Sequence, residues 1–124
     1  MFQILVVEDD KNTRKLMEAV LKSNGFHPIM ACNGEEALKL LDKHLVDLAV
    51  LDIMMPGMDG YELTKQLRAS DYNLPILMVT AKQLPEDKRK GFIVGTDDYM
   101  TKPVDEEEMI LRIKALLRRA QIAS

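Results

Sequence analysis

The middle of the chain carries the apolar run Val46-Asp47-Leu48-Ala49-Val50-Leu51, which ends at Asp52. The turn that follows reads Ile53-Met54-Met55-Pro56-Gly57-Met58-Asp59-Gly60. A short and almost continuously apolar run is typical of a strand that is covered on both faces of a parallel sheet. An acid at the carboxyl end of such a strand lies where ligands bind in open α/β sheets. Asp52 is therefore predicted to be a functional residue.

Apolar runs alternate with amphipathic segments five times along the 124 residues. The runs predict strands at residues 2–7, 27–31, 45–51, 75–79 and 97–100. Three helical stripes are predicted between and after them: Leu16, Ala19, Val20 and Leu21; Ala37, Leu38, Leu40 and Leu41; and Met109, Ile110, Ile113, Leu116 and Leu117. The alternation predicts an α/β domain with five helices and a doubly wound, five-stranded parallel sheet of flavodoxin-like order 2-1-3-4-5.

Residues that begin and end helices agree with this division. Asn33 lies three residues before Glu36, and Asp105 lies three residues before Glu108, as in capping boxes. Asn24-Gly25 is expected to end the first helix. Arg118-Arg119 is expected to end the last one, where cations suit the helix dipole.

Composition predicts an ordinary globular domain, with 47% hydrophobic and 30% charged residues. The net charge of −3 gives no basic footprint for nucleic acid, and no apolar stretch approaches the 18 or so residues of a membrane span. Residues 1–7 resemble a strand rather than a signal peptide. Cys32 is the single cysteine, which excludes an internal disulfide and favours a core or rim residue over a reactive thiol. A cytoplasmic location is expected.

Acidic residues follow two strands that the predicted strand order makes neighbours. Glu8-Asp9-Asp10 follows the first strand, and Asp52 follows the third. Three carboxylates at one point repel each other unless a cation is present, and Mg²⁺ prefers oxygen ligands. We expect Asp9 and Asp52 to be direct ligands, with Glu8 direct or through water and the backbone carbonyl of Met54 completing the set. The alternative for the acidic triplet is capping of the following helix, which one of its members is expected to do in any case.

Asp52 can also act as a nucleophile toward phosphorus, giving an aspartyl phosphate. Such a transfer needs neutralising charge, which Mg²⁺ and Lys102 at the end of the fifth strand can provide. A cis peptide before Pro103 is expected to point Lys102 inward, and the alternative is a solvated lysine. Thr80 and Tyr99, on the fourth and fifth strands, are candidates for a coupled switch, although strand residues of these types more often only pack.

Together these residues resemble the receiver domain of two-component response regulators, with a CheY-like fold. The resemblance covers Ile4-Leu5-Val6-Val7-Glu8-Asp9-Asp10, Asp52 with its turn, Val79-Thr80-Ala81 and Asp97-Asp98-Tyr99-Met100-Thr101-Lys102-Pro103. It implies that Asp52 accepts phosphate from a sensor histidine kinase, that Glu8 and Asp9 hold Mg²⁺, and that Lys102 contacts the phosphoryl group. Thr80 and Tyr99 would move inward together on phosphorylation. The domain would be a phosphoacceptor rather than an enzyme, catalysing only its own phosphorylation and dephosphorylation.

The same resemblance extends to winged-helix (OmpR/PhoB-type) transcriptional regulators, whose receivers dimerise through helix 4, strand 5 and helix 5. It implies that Lys88 pairs with Glu108, Asp98 with Arg112 and Asp97 with Arg119 across a homodimer, around an apolar centre of Phe92 and Ile110. Ordinary exposed charges are the alternative. Residues 1–119 would form the receiver. Residues 120–124 would begin a linker to a DNA-binding domain that is absent here, and a stand-alone receiver is the alternative.

Three other functions are compatible with parts of this pattern. A flavodoxin-type FMN carrier would share the fold, but Glu8-Asp9-Asp10 would repel phosphate without a metal. A Mg²⁺-dependent phosphatase of the haloacid-dehalogenase type needs a second acid two residues after its nucleophile, where this chain has Met54. A degenerate receiver acting as a phosphate-independent adaptor is disfavoured by the intact set of site residues, although the sequence leaves it open.

Overall fold

The structure of the chain, a computed structural model, describes residues 1–70, 72–81 and 85–123. In these ranges the strands are β1 (Gln3–Val7), β2 (His27–Ala31), β3 (Leu48–Leu51), β4 (Ile76–Thr80) and β5 (Asp98–Thr101). The helices are α1 (Lys11–Ser23), α2 (Gly34–Leu41), α3 (Gly60–Ala69), α4 (Pro85–Val94) and α5 (Glu106–Ala123). All paired strands are parallel, in the order β2-β1-β3-β4-β5, which confirms the predicted fold.

Each face of the sheet has its own hydrophobic core. Alternate strand residues such as Ile4 and Val6 pack against α1 and α5 on one face, while Leu5 and Val7 pack against α2 and α3 on the other. This division follows from the two-residue period of a strand, which sends successive side chains to opposite faces. The central strands are covered on both sides, so the sheet is rigid where it supports the strand ends.

Several strands begin or end at different residues from those predicted. The third begins at Leu48 rather than at residue 45, because Leu45 lies in the preceding loop with 87% of its surface exposed. The first begins at Gln3, and the fourth and fifth are each displaced by one residue toward the carboxyl end. The first, third and fifth strands still end directly before Glu8, Asp52 and Lys102, and the fourth ends at Thr80, so these shifts leave the site residues in place.

The stripe predicted for α1 is partly wrong. Leu16 is 42% exposed and Ala19 is also exposed, whereas Met17, Val20 and Leu21 form the buried face. The first helix contains apolar residues on more than one side, and its composition alone did not show which side meets the sheet. In α5, by contrast, all five predicted core residues are buried: Met109, Ile110, Ile113, Leu116 and Leu117.

The predicted helix caps are confirmed by hydrogen bonds. The amide of Glu36 donates to Asn33 Oδ1 (2.8 Å), and the amide of Glu108 donates to Asp105 Oδ1 (2.9 Å). Asn24 is the C-cap of α1, and Gly25 follows it with a φ of +82° that few other residues adopt. The last helix does not end at Arg119 but continues through Ala123, so residues 120–123 are helical.

Candidate functional site

The register of β1 and β3 brings the predicted acids together. Val7 lies opposite Leu51, so Glu8 and Asp52 each come one residue beyond the last paired position. The amide of Asp52 donates to the carbonyl of Val7 (3.0 Å), which holds the two strand ends side by side. Carboxylate oxygens of Glu8, Asp9 and Asp52 all lie within 4.8 Å of one another. The predicted three-carboxylate cluster is therefore present.

Burial differs among these acids. Glu8 is 1% exposed and Asp52 is 5% exposed, whereas Asp9 is open to solvent. Burial raises the pKa of Glu8, and hydrogen bonds from Lys102 and the amide of Asp10 oppose this effect only in part. A carboxylate so placed is costly to keep charged without a nearby cation.

Lys102 provides such a cation. Its Nζ lies 2.7 Å from Glu8 Oε1 and 2.8 Å from Asp52 Oδ2, so one ammonium is shared by two buried carboxylates. Burial lowers the pKa of Lys102, but its bonds to Asp52 and Glu8 outweigh burial and the net shift is upward. The Lys102–Pro103 peptide is cis, as predicted. The solvated alternative for Lys102 is wrong.

The cluster fits a divalent cation. Three carboxylates (−3) and one ammonium (+1) leave a formal charge of −2 at the site, which the +2 charge of Mg²⁺ would neutralise. The donor atoms are carboxylate oxygens, the type that hard cations prefer, and the exposed Asp9 leaves room for water ligands. Glu8, Asp9 and Asp52 are therefore the residues that would hold the ion.

Asp10, the third member of the acidic triplet, has a different role. Its Oδ2 accepts hydrogen bonds from the amide (2.9 Å) and the hydroxyl (2.7 Å) of Thr13, which makes Asp10 the N-cap of α1. These bonds lower the pKa of Asp10. The capping interpretation of the triplet is thus confirmed for Asp10, and the metal interpretation stays a prediction for Glu8 and Asp9.

The loop after β3 fixes the position of the Asp52 side chain through a backbone hydrogen bond. The amide of Met54 donates to Asp52 Oδ1 (3.1 Å), leaving the other oxygen to Lys102. Gly60, the first residue of α3, lies against the backbone of this segment, and a Cβ there would contact Asp52 O and would come within 2.8 Å of Ile53 Cα. A glycine is needed because the contacted atoms are backbone atoms that cannot move aside.

Thr80 and Tyr99 lie on neighbouring strands beside this cluster. Thr80 is the last residue of β4 and is fully buried. Tyr99 is 6% exposed and packs with Ile53, Tyr61 and Met78. Burial, with smaller contributions from Tyr61 and nearby carboxylates, raises the pKa of Tyr99 to about 12. The buried position of Tyr99 is the one that the resemblance assigns to the switched conformer.

Four of the charges predicted for a dimer interface, Asp97, Asp98, Glu108 and Arg112, are paired within the chain. Arg112 Nη1 lies 2.9 Å from Asp98 Oδ2, and its Nε lies 2.8 Å from Glu108 Oε2. Asp97 Oδ2 accepts from Arg68 Nη2 (2.9 Å) and from the amide of Ile76 (2.8 Å). Lys88 lies 5.8 Å from the centroid of the Tyr99 ring. These contacts lie within one chain, and the pairing across a homodimer stays a prediction.

The apolar centre predicted for this interface needs correction. Ile110 is only 6% exposed and belongs to the core between α5 and the sheet. The next residue, Leu111, is 60% exposed, and Phe92 on α4 is 50% exposed. Leu111 does not take the place of Ile110, because Leu111 lines a groove with Val20 and Ser23 of α1; Phe92 is the member of the predicted centre that is exposed.

Two further residues with structural roles were not predicted. Arg68 donates to the carbonyls of Tyr72, Leu74 and Gly95, and Tyr61 donates to the carbonyl of Asp87. Both join α3 to segments distant in sequence, and no local pattern signals such contacts. Among the residues that the structure describes, no helix has the length and apolarity to cross a membrane.

The sequence matches the response regulator receiver domain over residues 4–114, most of the chain. The chain belongs to the response regulator receiver family. Receiver domains of this kind are signalling domains of two-component systems, in which response regulators act with sensor histidine kinases.

Individual relatives agree with this assignment. The heme response regulator HssR of Staphylococcus aureus strain MRSA252 is 47% identical over 124 residues, all of this chain and 55% of the relative. The receiver domain therefore spans about half the length of the curated relatives it matches. The Francisella response regulator 1452 receiver domain is 36% identical with a TM-score of 0.92, over 97% of this chain and 99% of that one. A CheY-like receiver from Methanospirillum hungatei JF-1 is 26% identical with a TM-score of 0.94, over 100% and 99%.

Proposed function

We propose that this receiver domain accepts a phosphoryl group on Asp52 from a sensor histidine kinase, in the presence of Mg²⁺. The observation that carries the proposal is the environment of Asp52. It is buried at a strand end, one oxygen is held by the amide of Met54, and the other faces Lys102 beside two more carboxylates. A nucleophile, a cation site and a fixed positive charge are thus brought together.

The chemistry follows from these positions. A carboxylate oxygen of Asp52 forms a bond to phosphorus while the bond from phosphorus to the histidine nitrogen breaks, and the electron pair of that bond leaves with the imidazole. Bound Mg²⁺ would supply charge neutralisation for the phosphoryl oxygens. Glu8 and Asp9 would hold it together with Asp52, with the carbonyl of Met54 as a further ligand. The ion pair between Lys102 and Asp52 would then break, and Lys102 would donate a hydrogen bond to the phosphoryl group.

The conformational response is proposed to use Thr80 and Tyr99. A phosphoryl oxygen above Asp52 would accept a hydrogen bond from the Thr80 hydroxyl and favour the conformer in which Tyr99 is buried. Tyr99 lies on β5, next to the α4–β5–α5 surface. Phosphorylation would therefore shift the equilibrium between two conformers of the α4–β5–α5 surface, and a partner could recognise one of them.

That surface is proposed to form a homodimer in the phosphorylated protein. Its residues are Lys88, Phe92, Asp97, Asp98, Glu108, Arg112 and Arg119, with the exposed Phe92 at the apolar centre and Ile110 buried beneath the surface. Support comes from the exposure of Phe92 and the adjacent Ile93 on α4, two large apolar side chains on a surface that also carries complementary charges. A C₂ dimer would use each contact twice.

In the whole protein we propose that phosphorylation controls DNA binding and transcription from the cytoplasm. Relatives such as HssR are longer than this chain, which supports a further domain joined through the segment that begins at residue 120. DNA contact would belong to that domain, since the receiver has a net charge of −3.

A direct test is the intact mass of the protein after incubation with a small-molecule phosphodonor. We expect one added phosphoryl group with Mg²⁺, none after chelation of the metal, and none in Asp52→Asn. Uptake that persists without metal would contradict the role of the three carboxylates. A folded wild type that takes up no phosphate from either the small donor or a histidine kinase would favour the adaptor function instead.

A further inference from the structure

A tyrosine outside the described site connects the Asp52 loop with α4. Tyr61 is the second residue of α3 and is 5% exposed. Its hydroxyl donates to the backbone carbonyl of Asp87 (3.0 Å), in the first turn of α4. A side-chain hydrogen bond to a helix carbonyl 26 residues away fixes where α4 begins relative to α3.

The ring of Tyr61 is part of the same buried cluster as Tyr99. Ile53, Tyr61, Met78 and Tyr99 pack together, between the residue that follows Asp52 and the helix that covers β4. Tyr61 therefore forms one wall of the space that Tyr99 occupies. A change in its position would alter the fit of the buried Tyr99 side chain directly.

The other side of Tyr61 is covered by a cation. Lys90 Nζ lies 4.5 Å from the centroid of the Tyr61 ring, a cation–π contact between α3 and α4. Burial, followed by the charges of Asp87 and Asp59, raises the pKa of the Tyr61 hydroxyl, which stays protonated and able to donate. Two different contacts, one polar and one through the ring, thus join Tyr61 to the same helix.

Tyr61 is also rigidly joined to the site through its neighbour. Gly60 packs against the backbone of Asp52 and Ile53, and its amide donates to the Ile53 carbonyl (3.0 Å). A displacement of the Asp52 backbone would therefore be passed to α3 at the residue before Tyr61. Because this contact is between backbone atoms, little of the displacement can be absorbed by side-chain rotation.

We propose that Tyr61 is a positioning residue of the phosphorylation switch. It couples the Asp52 loop to α4 because its ring packs against Tyr99 and its hydroxyl donates to the first turn of α4. The inference rests on the proposed function, since it concerns how phosphorylation of Asp52 reaches the α4–β5–α5 surface. Tyr61 touches neither phosphate nor metal in this scheme. Removal of the Tyr61 hydroxyl should therefore leave phosphoryl uptake by Asp52 unchanged and reduce the conformational change that follows it.

The test compares Tyr61→Phe with Tyr72→Phe, a matched loss of a phenolic hydroxyl on the loop before β4. Amide hydrogen exchange of residues 85–94 is measured first without phosphodonor. We expect exchange in the first turn of α4 to become about five-fold faster in Tyr61→Phe, the factor that one net hydrogen bond carries, and to be unchanged in Tyr72→Phe.

Both variants are then treated with phosphodonor and Mg²⁺. We expect wild-type phosphoryl uptake in each, together with a phosphorylation-dependent change in α4 and β5 exchange that is at least about three-fold smaller in Tyr61→Phe only. An undiminished response in Tyr61→Phe would overturn the coupling role, even if α4 exchanged faster. Absence of uptake in the wild type would refute the proposed function instead. In that case the first exchange measurement would still decide whether Tyr61 holds α4.

Discussion

The Lys102 side chain offsets part of the negative charge of the acidic cluster, which also fits a divalent cation. Its ammonium lies between Glu8 and Asp52, two carboxylates that are almost fully buried. Removing one partner of a buried ion pair is costly because the remaining charge is left without compensation. A bound divalent cation would supply that compensation in place of the lysine.

Replacement of Lys102 should therefore be tolerated better when Mg²⁺ is present. In Lys102→Ala we expect a loss of unfolding free energy of about 1–3 kcal/mol in the presence of a chelator, and a clearly smaller loss in excess Mg²⁺. Urea denaturation under the two conditions measures the difference, with the exposed Lys65→Ala as control. An equal loss in both conditions would show that the metal and the lysine do not serve the same carboxylates.

Tyr99 should reveal its burial by its titration. With its pKa raised to about 12 from an ordinary 10.0, the phenol of the folded protein ionises about two pH units later than that of the unfolded chain. The stabilisation from this side chain is thus complete below about pH 10 and is lost as the pH rises toward 12. Phenolate absorbance of the folded protein should lose its latest step in Tyr99→Phe. If that step persisted, the late titration would belong to another tyrosine.

At this scale the sequence predicted the positions of the acids and of Lys102 well because these residues follow strands. Apolar runs predict where strands end, and Glu8, Asp52 and Lys102 are each placed by such an end. The roles of Ile110 and Leu111 were not predictable in the same way. Both are apolar neighbours on one helix, and only packing against the sheet decides which of them is buried.

The turn from β3 into α3 is the element that positions Asp52. Asp59 caps α3 by accepting from the amide of Glu62 (2.8 Å), and Gly60 allows the helix to begin directly against the backbone of Asp52. The start of α3 and the position of Asp52 are therefore fixed by the same contact. A larger residue at position 60 would separate them.

Gly60→Ala should impair both stability and phosphoryl uptake. The added methyl would meet backbone atoms of Asp52 and Ile53, and overpacking of this kind costs about 1–3 kcal/mol. Gly25→Ala provides the control. Gly25 has a φ of +82° but nothing near its Cβ, so strain alone should lower its stability while uptake remains normal. Normal uptake by Gly60→Ala would show that Asp52 does not depend on this contact.

Element boundaries were predicted less accurately than element types. Leu45 is apolar but exposed, so the third strand was predicted three residues too long. The last helix was expected to end at Arg118-Arg119, yet it continues to Ala123 because nothing after the arginines breaks a helix. The anchors of α3, Tyr61 and Arg68, act on residues more than 25 positions away and have no periodic signal.

For the whole molecule, the α4–β5–α5 surface is the one that we propose responds to phosphorylation and forms the homodimer. Asp97, Asp98, Glu108 and Arg112 are paired within one chain, so the free energy of dimerisation is expected to come mainly from the apolar contact and from the change that phosphorylation makes. Exposed ion pairs contribute only about 0–1 kcal/mol each. Phe92, rather than Arg112, is therefore expected to dominate the affinity.

Phe92→Asp should weaken the phosphorylated dimer at least about ten-fold, since it puts a charge at the apolar centre. Leu45→Asp changes an even more exposed apolar side chain on the loop before β3 and should leave the dimer intact. Sedimentation of both phosphorylated variants over a concentration series measures the effect. Equal weakening in the two, or in neither, would place the interface on another face of the receiver.

The central claim is that Asp52 is the residue that becomes phosphorylated, and the most direct measurement is the location of the phosphoryl group. The protein is treated with phosphodonor and Mg²⁺, reduced with borohydride to convert an acyl phosphate into homoserine, digested and sequenced by mass spectrometry. We predict homoserine at position 52, and unmodified aspartate at positions 9, 10 and 59. Homoserine at any of those other aspartates, with position 52 unchanged, would contradict the account.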